Sequence, residues 1–160
     1  EPAKKIALYH PFIATGLGAG YSPYGPGTMG ALLAILVWYP LATCLSYLLW
    51  LGILFGLIIL FTILGAWSST VAERYWGEDP SRVVIDEVVG QWITLLAVPA
   101  VFSWWHVLAA FILFRFFDIV KPLGVRQMEN FKSGWGIMAD DILAGIYGAI
   151  ILYLITAIPW

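Results

Sequence analysis

The sequence predicts an all-α fold, a polytopic membrane helix bundle of about five membrane helices with its charged groups gathered on one, cytoplasmic, face. Three observations carry this prediction. Hydrophobic residues make up 61% of the 160 and charged residues 11%, whereas soluble domains carry roughly 25% charge. No charge occurs from Thr28 to Ala72, a run too long for one span of roughly 20 residues and suited to two. Prolines 40, 80, 99 and 122 fall where apolar runs begin or end, as helix punctuation requires. No linker-like segment or internal repeat interrupts the chain, so residues 1–160 are read as a single integral-membrane domain.

Residues 6–27, containing Thr15-Gly16-Leu17-Gly18-Ala19-Gly20 and Gly25-Pro26-Gly27-Thr28, read as loop. The glycines resemble a dinucleotide-binding turn, but that motif needs a strand before it and a helix directly after it, and no βαβ pattern exists here. Lys4 and Lys5 ahead of an apolar stretch resemble a signal peptide, yet Pro11 and the glycines break the stretch, so cleavage is not expected. Thr28 is expected to cap the first helix, over residues 28–39, which either spans a thinned bilayer or continues past Pro40 with a kink. The second helix covers about 45–72. The third starts after Asp79, with Pro80 in its first turn, and runs to Val98. The fourth covers about 104–119, and the fifth begins at Asp140-Asp141.

Charge assigns the sides. With five alternating spans, Lys4, Lys5, Arg74, Arg82, Arg115, Lys121, Arg126 and Lys132 lie on or near one face, and the opposite turns around 40–46 and 99–103 hold no Lys or Arg. The basic face is therefore cytoplasmic. Trp38, Tyr39, Trp104, Trp105 and Trp160 should form the outer aromatic belt. Every carboxylate falls on the cytoplasmic side. Avoidance of lipid explains those in loops, but Asp86, Glu87, Asp118, Asp140 and Asp141 stand inside or at the ends of expected helices, where charge is costly.

Helical phase sorts these five. Glu87, Gly90, Gln91 and Thr94 share a small, polar stripe that should face protein. Asp141, Ala144, Gly145 and Gly148 make a close-packing face, which turns Asp141 inward. Asp140 lies about a hundred degrees away and serves equally as helix cap or ligand. Arg115 and Asp118 are three apart on one face; they form either an internal ion pair or, with Lys121 and Arg126, part of a phosphate site. Carboxylates beside several cations suit a phosphate bridged to Mg²⁺, and helix N-termini at Thr28, Pro80 and Asp140 would add donors.

Inventory removes other chemistries. A net charge of −2 with scattered basic residues excludes a nucleic-acid surface. Lone Cys44 makes no intrachain disulfide and is read as a buried thiol on the far side. His106, beside Trp105, is read as an interfacial residue, so a histidine- or cysteine-dependent phosphatase is not expected. Metal-assisted hydrolysis survives, with a metal-activated water or a carboxylate as nucleophile.

Four blocks in order then resemble one family: Pro26-Gly27-Thr28-Met29-Gly30 closing the Gly-rich segment, Ile85-Asp86-Glu87-Val88-Val89-Gly90, Phe114-Arg115-Phe116-Phe117-Asp118-Ile119-Val120-Lys121-Pro122, and Gly136-Ile137-Met138-Ala139-Asp140-Asp141-Ile142-Leu143-Ala144-Gly145. Together they resemble the bacterial phosphatidylglycerophosphatase A family. The resemblance implies a Mg²⁺-dependent inner-membrane enzyme that removes the terminal phosphate of phosphatidylglycerophosphate to give phosphatidylglycerol. It implies Asp86, Glu87, Asp118, Asp140 and Asp141 as catalytic carboxylates, with Glu87, Asp118 and Asp141 as the metal set. Arg115, Lys121 and Arg126 would bind phosphate, supported by backbone at Gly25, Gly27 and Thr28. The expected partners are the lipid substrate and the bilayer, with no protein partner. The alternatives are a small transporter, disfavoured because the charges avoid the midplane, and a phosphatase for another lipid phosphomonoester such as phosphatidic acid.

Overall fold

A computed structural model describes residues 9–16, 25–76, 83–122, 124–125, 127 and 133–158. Among these residues the elements are all helical: α1 (Tyr9–Ala14), α2 (Pro26–Cys44), α3 (Tyr47–Trp76), α4 (Ile85–Leu95), α5 (Trp104–Val120) and α6 (Ser133–Ala157). Three stretches are long and apolar enough to cross a bilayer, Pro26–Cys44, Tyr47–Val71 and Trp135–Ala157. The protein is a membrane helix bundle. Its lipid-facing sides carry exposed Leu36, Leu48, Phe55, Ile63 and Tyr153.

Helix α4 is the hub. It has 11 residues, nine of them buried, and packs against α2, α3, α5 and α6. At 1.5 Å per residue it is roughly 16 Å long, so the span expected over 80–98 is replaced by a short central helix stopping short of a full crossing. Backbone left over at its end is satisfied within the protein, as lipid demands: Ala97 N–H donates to the Thr94 carbonyl and Val98 N–H to that of Leu95, each at 3.1 Å. Trp92 Nε1 ties α4 to α2 by donating to the Ala34 carbonyl at 3.0 Å.

The α4–α6 crossing is very close. A Cβ on Gly90 would lie 2.6 Å from the Asp141 carbonyl oxygen and 2.5 Å from the Phe114 ring, and one on Gly145 would run into the Gly90 carbonyl. Small residues allow backbones this near, and packing and hydrogen bonds then do what the hydrophobic effect does in water. Thr94 Oγ1 donates across the crossing to the Gly145 carbonyl at 3.0 Å.

Several expectations are corrected. Residues 9–14 form α1 instead of loop, and His10 Nδ1 meets Ser68 Oγ on α3 at 3.2 Å. Helix α2 does continue through Pro40 to Cys44. Its cap is Gly25, in the left-handed region at φ 50°, with Pro26 as the first helical residue; Thr28 lies inside the first turn. The start expected at Pro80 lies outside the described residues, and α4 begins at Ile85. Helix α6 starts at Ser133, about two turns before the Asp pair, because Trp135, Ile137 and Met138 already give it an apolar face, with Met138 buried against Gly65 of α3. Trp38 belongs to the core, packed on Trp50 and Phe102, while Tyr39 and Trp104 are exposed as a belt would be; Trp160 lies outside the described residues. Cys44 is exposed, being the last residue of α2. His106 helps begin α5, its Nδ1 accepting the Ser103 N–H at 2.9 Å.

Candidate active site

Three helix segments bring charge to one end of the bundle. Helix α4 contributes Asp86 and Glu87 from its first turn. Its entry is fixed by buried Val83, Val84 and Ile85 and by the Val84 N–H donating to the Ala14 carbonyl at 2.9 Å. Helix α5 contributes Arg115 and Asp118 from one face, then Lys121 at its C-cap. Lys121 adopts a left-handed conformation, φ 54°, costly for a residue with a Cβ; it ends the helix and leaves the ammonium at the cavity. Helix α6 contributes Asp140 and Asp141 from its third turn.

These groups surround a cavity of about 480 Å³ lined by Gly25, Pro26, Gly27, Val83, Asp86, Glu87, Arg115, Asp118, Ile119, Lys121 and Asp140. Arg115 is ion-paired with Asp118. Lys121 Nζ lies 2.6 Å from Asp140 Oδ2 and 3.8 Å from Asp118 Oδ1. Burial alone would lower the Lys121 pKa, but the hydrogen bond to Asp140 and the fields of Asp140, Asp141 and Asp118 outweigh it, holding the ammonium above its ordinary value. It is charged throughout the neutral range.

Behind the cations the carboxylates face one another. Oxygens of Asp86, Asp140 and Asp141 lie within 4.8 Å of each other, as do those of Glu87, Asp118 and Asp141, so Asp141 belongs to both groups. Asp141 is 1% exposed. Both its oxygens, with Asp86 Oδ1 and Glu87 Oε2, are buried without a hydrogen-bond donor. Five carboxylates face two cations among the described residues, and buried negative charge in such excess is strongly unfavourable unless a cation joins it. A set of converging, orphaned carboxylate oxygens fits a hard divalent ion such as Mg²⁺ and offers no Cys or His for a soft one.

The structure therefore places Asp86, Glu87, Asp118, Asp140, Asp141, Arg115 and Lys121 together. Gly25 and Gly27 line the same cavity, and a Cβ on Gly27 would sit 3.0 Å from both Arg115 Nη1 and Glu87 Oε1. Thr28 is in the adjoining turn, whose N–H groups lack intrahelical acceptors. Arg126 lies outside the described residues. Asp140 is not a helix cap, since α6 begins at Ser133; it is the partner of Lys121. Arg115–Asp118 is an ion pair, and also part of the cavity wall, so both readings of that pair describe it. One group was noted on the polar stripe but assigned no place in the site: Gln91, fully buried one turn from Glu87 with neither end of its amide partnered. Its spacing of four from Glu87 was the available signal.

Three threonine hydroxyls away from the site are engaged with backbone. Thr62 and Thr156 hydroxyls donate to the Ile58 and Tyr153 carbonyls, and Thr94 to that of Gly145. They do not line a polar route across the protein.

Comparison with known proteins agrees with this geometry. The family model for phosphatidylglycerophosphatase A matches residues 12–156. A Bacteroides thetaiotaomicron protein named putative phosphatidylinositol-3-phosphatase is 57% identical, covering 93% of this chain and 94% of its own. Proteins named phosphatidylglycerophosphatase A from Haemophilus influenzae and Escherichia coli are each 40% identical, covering 97% and 89% of this chain and 94% and 81% of their own. No solved structure matches at a significant level.

Proposed function

Because the chain belongs to the phosphatidylglycerophosphatase A family, we propose that this membrane phosphatase removes the terminal phosphate of phosphatidylglycerophosphate, giving phosphatidylglycerol and inorganic phosphate. The observation that supports this most is the meeting of Arg115 and Lys121 with five carboxylates at one end of an apolar bundle, a setting for a phosphomonoester carried on a lipid. The site faces the cytoplasm at the bacterial inner membrane, a reading supported by the basic residues that flank it and by their absence from the opposite turns.

In this mechanism the phosphomonoester enters between the α2 N-terminus and Lys121. Arg115 and Lys121 grip its non-bridging oxygens, and the N–H groups of Gly27 and Thr28 supply neutral donors. Glu87, Asp118 and Asp141, whose oxygens converge beside Asp86 and Asp140, would hold Mg²⁺, which when bound would supply positive charge to the phosphoryl oxygens. A carboxylate of the cluster takes the proton of the attacking water as the new P–O bond forms. The ester P–O bond breaks, and the departing glycerol oxygen receives the proton that the carboxylate took from the water. Arg115 and Lys121 stabilise charge on the transferring group throughout.

The 57% identical relative favours a second substrate, a phosphatidylinositol 3-phosphate. Phosphate release in detergent from this lipid, from phosphatidylglycerophosphate and from phosphatidic acid, with Mg²⁺ or with EDTA, decides among them. Fastest release from phosphatidylglycerophosphate, abolished by EDTA, is expected. Preference for the inositol lipid moves the substrate assignment, and full activity in EDTA removes the metal.

Lys121→Met is expected to lower kcat/KM by roughly tenfold to a hundredfold, the worth of one charge-assisted contact, with Lys121→Arg recovering part of it. Since the folded-state pKa is raised, the ionic contribution of Lys121 is full below the ordinary lysine value of 10.5 and fades only as pH rises through the folded one. The wild-type pH profile between 6 and 9, on the order of the working range, should therefore carry no limb from this residue. Titration of activity in that range that disappears in Lys121→Arg would contradict the assignment.

A further inference from the structure

A second cavity lies on the side of the bundle, between α2 and α5. It measures about 540 Å³ and is walled by Leu32, Ile35 and Tyr39 of α2 and by Val107, Leu108 and Phe111 of α5. Both helices pack on α4 and touch each other little, which leaves the groove open along their length. Leu32, Tyr39 and Leu108 on its rim are exposed. We infer that this groove seats an acyl chain of the lipid whose phosphate is cleaved.

The inference rests on the lipid-phosphatase reading and adds where the lipid lies. The same two helices contribute to both cavities. Gly25, Pro26 and Gly27 at the start of α2 and Arg115, Asp118 and Ile119 of α5 line the polar one, and Phe111 stands four residues before Arg115 and seven before Asp118. Residues four or seven apart share a helix face, so along α5 the apolar wall continues directly from the proposed phosphate site. Along α5 it extends from Phe111, about 6 Å from Arg115, to Trp104, about 16 Å from it at 1.5 Å per residue, the reach of an alkyl chain hanging from a headgroup. The polar groups of its lining, the Tyr39 and Ser103 hydroxyls and the Trp104 indole N–H, lie at the end remote from the site, and the rest of the wall is aliphatic or aromatic.

The groove gains little affinity from hydrophobicity, because the chain leaves a lipid environment as apolar as itself. Its effect is orientation. A chain held in the groove aims the headgroup along the α2–α5 seam into the cavity, and misplacement of about 1 Å can cost on the order of a hundredfold in rate.

The test compares two phosphatidylglycerophosphates, one with dioleoyl and one with dibutyryl chains. In Val107→Trp and, from the opposite wall, Leu32→Trp, the ratio of kcat/KM for the long-chain to the short-chain substrate should fall roughly tenfold or more. Leu60→Trp, on the exposed outer side of α3, should keep the wild-type ratio. On the wild-type enzyme, a lipid carrying a diazirine in its acyl chain should cross-link to peptides of α2 and α5. An unaltered ratio in both groove variants, or cross-links to α3 or to another copy of the chain, would overturn the inference while leaving the phosphatase reading intact. Failure of the wild type to release phosphate from any lipid phosphomonoester would sink both.

Discussion

Asp141→Asn is expected to cut phosphate release by roughly a hundredfold to ten-thousandfold, the range for loss of a group in direct proton or metal chemistry. Asp141 is the carboxylate shared by both oxygen clusters, and neither of its oxygens has a donor. The amide keeps the shape and removes one negative charge from a place where several repel each other. The folded protein should therefore be as stable as wild type or more so in EDTA, while added Mg²⁺ should raise the melting temperature of wild type and leave that of the variant nearly unchanged. These two readouts separate the proposed role from a structural one. A variant that melts well below wild type in EDTA would make Asp141 a packing residue, and one that retains activity would remove it from the site. Glu87→Gln and Asp118→Asn should follow the same pattern, with Asp118→Asn also loosening Arg115.

Gly145→Ala is expected to damage stability and activity together. The added methyl would strike the Gly90 carbonyl, which is backbone and has no rotamer to change. Overpacking of this kind costs about 1–3 kcal/mol when side chains can yield, and more when they cannot. Relief requires α6 to move away from α4, which withdraws Asp141 from Glu87 and breaks the Thr94 bond to the Gly145 carbonyl. Thermal unfolding in detergent should show a lowered midpoint, and phosphate release should fall even at temperatures where the variant is folded. A methyl added at Gly148 meets the Thr94 side chain instead, a neighbour able to turn, so Gly148→Ala should be milder. Equal, wild-type-like behaviour of both variants would show that the crossing is looser than the structure places it.

The contrast between these residues shows which features were legible in the chain. Asp141 could be read as inward-facing because Ala144, Gly145 and Gly148 recur at helical spacing behind it, and periodicity is local information. Glu87 was readable in the same way. The close approach of Gly90 to Gly145 was not, because a small residue signals permission for contact without naming its partner. Helix starts were misread where polar residues attracted the boundary. Thr28 and the Asp pair looked like caps, yet Pro26 and the apolar face from Trp135 onward begin those helices earlier. The truncation of α4 was hidden because a helix buried on all sides has the same apolar composition as one that crosses lipid.

The sequence by itself determined the membrane class, the segregation of charge to one end, the donor types and the phase of the inward carboxylates, all of which follow from composition and the pitch of a helix. Only the tertiary structure decided that α4 is a short central hub, that Asp140 belongs to Lys121, that Asp141 joins two carboxylate groups, and that α2 and α5 leave an apolar groove between them. These depend on distances between residues far apart in the chain, which close packing sets and no local pattern encodes.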